Sequence, residues 1–196
     1  NYSGYKNSQP VRVGNSASDQ YQLDTYGSLI DAYYFMSKHM VSLHSKKTII
    51  YLVDKIKNEW KNKDNSIWEM RDGRQHYTYS KVMCWVGVDR AIRLAETLQI
   101  DKNTLASWKK LRKTIHDWIW THCFDKKRNV FVQHPNTTRQ DATNFLFVLL
   151  QFLNRHDPLT KTIVENTAKE LVFENVFVYR YKGADGIQGE EGAFIL

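Results

Sequence analysis

Two kinds of apolar run alternate along the chain. From Asp19 to Lys38, the residues Tyr21, Leu23, Tyr26, Leu29, Ile30, Ala32, Tyr33, Tyr34 and Phe35 leave almost no polar side. From Lys46 to Trp60 the pattern changes: Ile49, Leu52, Val53, Ile56 and Trp60 recur at three- and four-residue spacing, the single stripe of an amphipathic helix. Tyr79 to Leu98 is again apolar nearly all round in its first half, through Val82, Met83, Cys84, Trp85, Val86 and Val88. Asn103 to His122 returns to one stripe, with Leu105, Trp108, Leu111, Ile115, Trp118 and Ile119. Asp141 to Leu153 is hydrophobic throughout and predicts a third fully buried helix. Asp157-Pro158 then opens a one-faced helix carrying Leu159, Ile163 and Leu171, with Asp as N-cap and Pro at the first helical position. A fourth apolar segment starts near Glu191.

Helices buried on every side alternating with helices buried on one side imply two concentric layers, repeating roughly every sixty residues. The economical arrangement is all-α: an α/α toroid of hairpins, inner helices lining the core and outer helices around them. Residues 1–196 are expected to hold about half of one such domain, cut at both ends, since the chain starts at Asn1 and stops within the apolar run Gly192-Ala193-Phe194-Ile195-Leu196. Connections from an outer helix to the next inner one then emerge at one end. They are the segments before Asp19, Asn62 to His76, Phe124 to Gln140, and Phe173 to Glu190. Long loops gathered on a rigid scaffold are where binding and chemistry concentrate. Within the last of them, Phe173 to Tyr181 alternates enough to predict a short strand.

Composition narrows the function. The formal charge is +7, but the basic residues (Lys55, Lys57, Lys61, Lys63, then Lys109, Lys110, Arg112, Lys113, then Lys126, Lys127, Arg128) fall on polar helix faces and one turn. A solvated exterior explains them, and no nucleic-acid partner is expected. Cys84 and Cys123 have neither a CxxC partner nor zinc spacing; a disulfide between them stays open. No signal peptide and no membrane-spanning run is found, so no membrane partner is expected and a cytoplasmic setting is favoured.

The rim loops offer a coherent set of side chains: Arg12, Asn15, Gln20, Gln22 and Asp24; Trp68, Glu69, Arg71, His76 and Tyr77; Gln133 and His134; Tyr179, Arg180, Tyr181, Asp185, Glu190 and Glu191. Carboxylates, guanidinium groups, amides and aromatic rings without a Cys/His cluster suit a polyhydroxylated ligand, and neither metal nor cofactor is expected. Glu69 stands out. A carboxylate beside an indole, in a loop opening onto buried helical surface, is expected to be desolvated and so to keep its proton near neutral pH, as a general acid requires.

The strings Ile67-Trp68-Glu69-Met70-Arg71, His76-Tyr77-Thr78-Tyr79-Ser80-Lys81-Val82-Met83-Cys84-Trp85 and Asp89-Arg90-Ala91 resemble glycoside hydrolase family 15, which contains glucoamylases, glucodextranases and bacterial-type trehalases. Pro10-Val11-Arg12-Val13-Gly14-Asn15 with Gln20-Tyr21-Gln22-Leu23-Asp24, and Val178-Tyr179-Arg180-Tyr181 with Asp185-Gly186, Gly189 and Glu191-Gly192-Ala193-Phe194, continue the match in order. The resemblance implies a toroid of six hairpins and an inverting hydrolase of α-glucosidic bonds acting on a glucose-containing disaccharide or oligosaccharide. It makes Glu69 the general acid, Trp68 a ring against the sugar and Arg180 a substrate clamp. Arg71, Tyr181, Glu190 and Glu191 complete the substrate-binding set. An inverting enzyme also needs a second carboxylate roughly 6.5–9.5 Å from the acid. In the family that base lies in a later loop, beyond the segment matching Glu191-Gly192-Ala193-Phe194, and His134-Pro135 replaces the usual small turn. These residues alone are therefore expected to lack the base and to be inactive, and, with toroid edges open, to self-associate. The alternative is a non-catalytic glucoamylase-like module that binds carbohydrate or serves as a regulatory scaffold.

Overall fold

The computed structural model describes residues 3–7, 9, 16–36, 43–70, 73–183 and 193–195. Six α-helices carry the fold: α1 Asp24–Met36, α2 Leu43–Glu59, α3 Thr78–Arg93, α4 Lys102–His122, α5 Leu146–Leu149 and α6 Pro158–Leu171. Among the described residues, no helix is long and apolar enough to cross a membrane.

Helix α3 is the axis of the packing. Every residue from Thr78 to Ala91 is buried, and α3 lies against α1, α2 and α4. The α1–α3 approach depends on missing side chains: a Cβ on Gly27 would fall 2.0 Å from the Met83 carbonyl oxygen, and one on Gly87 would fall 3.0 Å from the Gly27 Cα. The outer helices follow their stripes. Ile49, Leu52, Val53 and Ile56 of α2 and Trp108, Ile115 and Ile119 of α4 face inward. Asp101 caps α4 by accepting from the Asn103 and Thr104 amides, and Asp157 caps α6 from the Leu159 amide. At the C-terminal end of α3, Arg90 bonds Asp31 of α1, Asp89 and the Leu150 carbonyl, while Arg112 of α4 bonds Asp89. The buried charges of Asp89 and Arg90 are thus paired rather than stranded. Cys84 and Cys123 are both buried free thiols.

Three expectations are corrected. Helix α1 is not buried all round: it buries Asp24, Gly27 and Ile30 while Leu29, Phe35 and Met36 are exposed, because α3, and to a smaller extent α2, cover only part of its surface. Asp141 to Leu153 is not one helix. A 3-10 turn at Ala142–Phe145 leads into the single turn α5, and Gln151 at φ 60° ends it. The amides of Phe152 and Leu153 both return to the Phe147 carbonyl, folding these two side chains into the core and leaving Leu149 exposed. The apolar run therefore reflects burial of a compact turn, not of one continuous helix. The short strand expected within Phe173 to Tyr181 is present, as one arm of a hairpin. Strands β3 Val172–Phe173 and β4 Phe177–Tyr179 pair antiparallel across the three residues Glu174, Asn175 and Val176, the first two left-handed at φ 51° and 59°. Residues 193–195, expected to open another helix, run as strand β5 Ala193–Ile195 beside β4. A smaller hairpin pairs β1 Phe124–Asp125 with β2 Val130–Phe131.

Candidate active site

The loop that carries Glu69 is held by two buried polar residues. Asp64 is fully buried; its Oδ2 accepts from the Leu23 and Ser66 amides (3.3 Å each) and from the Ser80 hydroxyl (2.6 Å). Its backbone pairs in both directions with Gln75. Asn65 closes the turn: its carbonyl accepts from the Met70 amide at 2.8 Å, and its side-chain amide donates to the Met70 carbonyl at 3.1 Å. Between these bonds, Ser66 and Glu69 take left-handed backbone conformations, φ 62° and 55°. Such conformations are costly for non-glycine residues and persist only where neighbours over-determine them.

The first rim segment supplies those neighbours. The Tyr21 amide donates to Asn65 Oδ1 at 2.9 Å, Gln20 donates to the Glu69 carbonyl at 2.9 Å, and Gln22 donates to the Ser66 carbonyl at 3.3 Å. Tyr21 and Tyr26 in turn donate their hydroxyls to Glu59 of α2. Two segments that sequence spacing set at one end of the molecule are therefore bonded to each other at the N-terminal ends of α1 and α3.

Glu69 is exposed, so the expected sheltering of its carboxyl by the neighbouring indole is corrected. Trp68 turns elsewhere. Its Nε1–H donates to both oxygens of Asp141, at 3.1 and 3.0 Å, and the Arg180 guanidinium lies 5.5 Å above its ring. Trp68 also packs on a buried cluster of Met70, Tyr77 and Tyr181. Arg139 covers the Tyr181 ring at 5.6 Å, and His134 meets Tyr77 edge-on at 5.6 Å. Trp68, Glu69, Arg180 and Tyr181 are thus drawn from two loops into one neighbourhood. Arg71, Glu190 and Glu191 lie outside the described residues, as do Arg12, Asn15 and Asp185.

Asp141 is the residue that sequence reasoning missed. Its place before Ala-Thr-Asn marked only a helix start. It does cap that turn, through the Thr143 amide at 2.9 Å and hydroxyl at 2.7 Å, but it also takes the Gln133 amide at 3.0 Å. Burial pushes its pKa up, and the bonds from Thr143, Trp68 and Gln133 pull against that rise. Asp24, at the start of α1, is nearly buried with Oδ1 unpartnered, and desolvation raises its pKa to about 6. Desolvation, with the charges of Asp24 and Asp141 adding to it, holds Tyr79 up at about 12. Lys81 is buried and donates to the Asn62 carbonyl; desolvation lowers its pKa. The arrangement can present a carboxylic acid at an exposed loop tip while a rigid polar layer beneath holds the backbone that aims it.

Comparison with known proteins bears on this arrangement. The family model of glycosyl hydrolases family 15 matches residues 1–192. The chain is similar to the trehalase of Thermoplasma volcanium, 34% identical over 197 residues that cover 100% of this chain and 32% of the relative. It is also similar to the trehalase of Mycobacterium tuberculosis, 38% identical over 199 residues that cover 99% of this chain and 29% of the relative. The chain thus spans about a third of the length of these curated relatives. Among solved structures, glucoamylase from Saccharomycopsis fibuligera aligns with a TM-score of 0.55 at 12% identity, covering 76% of this chain and 35% of that one. That likeness is one of fold, the α/α toroid, of which this chain is a portion.

Proposed function

The chain belongs to glycosyl hydrolases family 15, and from that membership we propose that it forms part of an inverting hydrolase of α-glucosidic bonds, with trehalose as the first substrate to test. Glu69 protonates the departing glycosidic oxygen. A second carboxylate, which the family resemblance sets in a later loop, activates water on the opposite face of the sugar, and the bond breaks through an oxocarbenium-like transition state. Trp68 offers its ring to the sugar, and Arg180 clamps hydroxyls in the same subsite. Arg71, Tyr181, Glu190 and Glu191 complete the substrate-binding set.

The observation that carries this reading is that relatives named trehalase match 99–100% of the chain at 34–38% identity. The left-handed Glu69 supports it, because strain of this kind clusters at active sites. Exposure of Glu69 suits a group that meets substrate from solvent; bound sugar, rather than the indole alone, then supplies the desolvation a general acid needs. The stereochemical course tests the reading. Inverting cleavage of trehalose releases α- and β-glucose in equal amounts, visible by proton NMR before mutarotation. In the full-length enzyme, release of α-glucose alone contradicts inversion, and no glucose from trehalose, maltose or starch overturns the hydrolase reading.

A further inference from the structure

Asp141 joins three rim segments that the chain keeps far apart. Its carboxylate takes the indole N–H of Trp68, 73 residues away, the side-chain amide of Gln133, and two donors from Thr143. The next residue extends the junction: the Ala142 amide donates to the Arg180 carbonyl at 2.8 Å, while the Arg180 guanidinium sits over the Trp68 ring. The indole is therefore held at its edge by a buried carboxyl group and on its face by a guanidinium.

A capping role does not account for this. An N-cap needs one side-chain oxygen for an amide two or three residues on, which Ser, Thr or Asn supplies as well as Asp. Here the Thr143 amide takes that role on Oδ1, and the other oxygen is directed to Trp68 and Gln133. Asp141 is 4% exposed, and burying a carboxylate is costly unless hydrogen bonds occupy it. Both oxygens are occupied. A cap with a single acceptor oxygen satisfies the Thr143 amide alone, and what the second oxygen of Asp141 adds is a firm hold on the indole. Trp68 and Glu69 are adjacent, in a loop closed on itself by Asn65 and Met70, so a fixed indole fixes the loop tip.

We propose that Asp141 is a positioning residue: through the Trp68 indole N–H it sets the plane of the ring and the attitude of the Ser66–Met70 loop that presents Glu69. The consequence for turnover rests on the hydrolase reading; the hold on the indole does not.

The test is a double-mutant cycle of Asp141→Asn, Trp68→Phe and the pair, with two readouts. In the first, the indole N–H resonances of the 15N-labelled protein are recorded. Asp141→Asn is expected to shift the Trp68 resonance strongly while the other indoles, which report an intact fold, stay in place. In the second, trehalose hydrolysis by the full-length enzyme carrying the same substitutions is measured. Asp141→Asn is expected to lower kcat/KM by about 10²-fold in the wild-type background, the scale of a misplaced reacting group. In the Trp68→Phe background, where no N–H remains to hold, it changes kcat/KM by less than about threefold. An unmoved Trp68 resonance, or two losses that multiply, overturns the proposal. If the full-length wild-type enzyme hydrolyses no trehalose, the hydrolase reading fails on its own, and the resonance still decides whether Asp141 holds Trp68.

Discussion

Trp68 donates its indole N–H to both carboxylate oxygens of Asp141, across 73 residues of chain. This contact ties the loop that precedes α3 to the loop that precedes α5. It makes the ends of two neighbouring hairpins one rigid unit, above which Glu69 stands exposed.

Asp24 gives the protein a measurable pH signature. Its carboxyl is raised from 3.8 to about 6 by burial, so between those values the folded state keeps a proton that the unfolded chain has lost. Stability contributed by the neutral form is complete below pH 4 and is lost as pH rises through 6. At 1.36 kcal/mol per pKa unit the loss is about 3 kcal/mol. Asp24→Asn, which cannot ionise, is expected to gain about that much over wild type between pH 4 and pH 7.5 in urea unfolding. Parallel stability curves contradict it.

The α1–α3 crossing is expected to tolerate no added atom at Gly27. A Cβ there meets backbone, at 2.0 Å from the Met83 carbonyl oxygen, so the helices themselves have to separate. Gly27→Ala is expected to destabilise by about 1–3 kcal/mol, against the small gain that alanine brings to an open helix position. Thermal unfolding checks this; an unchanged or raised Tm contradicts the packing described.

Leu29, Phe35 and Met36 of α1 are 46%, 67% and 54% exposed. An apolar surface of this kind favours association. Residues 1–196 alone are expected to show a mass in light scattering that grows with concentration, and Leu29→Ser with Phe35→Ser to reduce that growth. A monodisperse monomer at every concentration contradicts the expectation.

The outer helices were legible because their stripes answer to a single buried face: Ile49, Leu52, Val53 and Ile56 in α2, and Trp108, Ile115 and Ile119 in α4, all face inward as their spacing predicts. Helix α3 was legible as a buried element for the opposite reason, since the run from Val82 to Val88 has no polar break. Phe145 to Leu153 misled because an apolar run records burial and not geometry. There, left-handed Gln151 and the shared Phe147 carbonyl make a turn that no periodicity announces. Trp68-Glu69 and Arg180 were legible as a motif, and Trp68 lies under the Arg180 guanidinium. Asp141 was not, because its partners Trp68 and Gln133 are chosen by tertiary folding, while its local sequence reads as an ordinary cap. Nor does a neighbour in sequence imply a neighbour in space: Trp68 precedes Glu69 yet points its N–H at a different carboxylate.

Replacement of Glu69 by Gln is the most direct measurement, since it keeps the side chain's size and removes the transferable proton. In the full-length enzyme, glucose release from trehalose is expected to fall by about 10²–10⁴-fold, the usual contribution of a general acid, with unfolding behaviour unchanged. Hydrolysis at the wild-type rate by that variant contradicts the account.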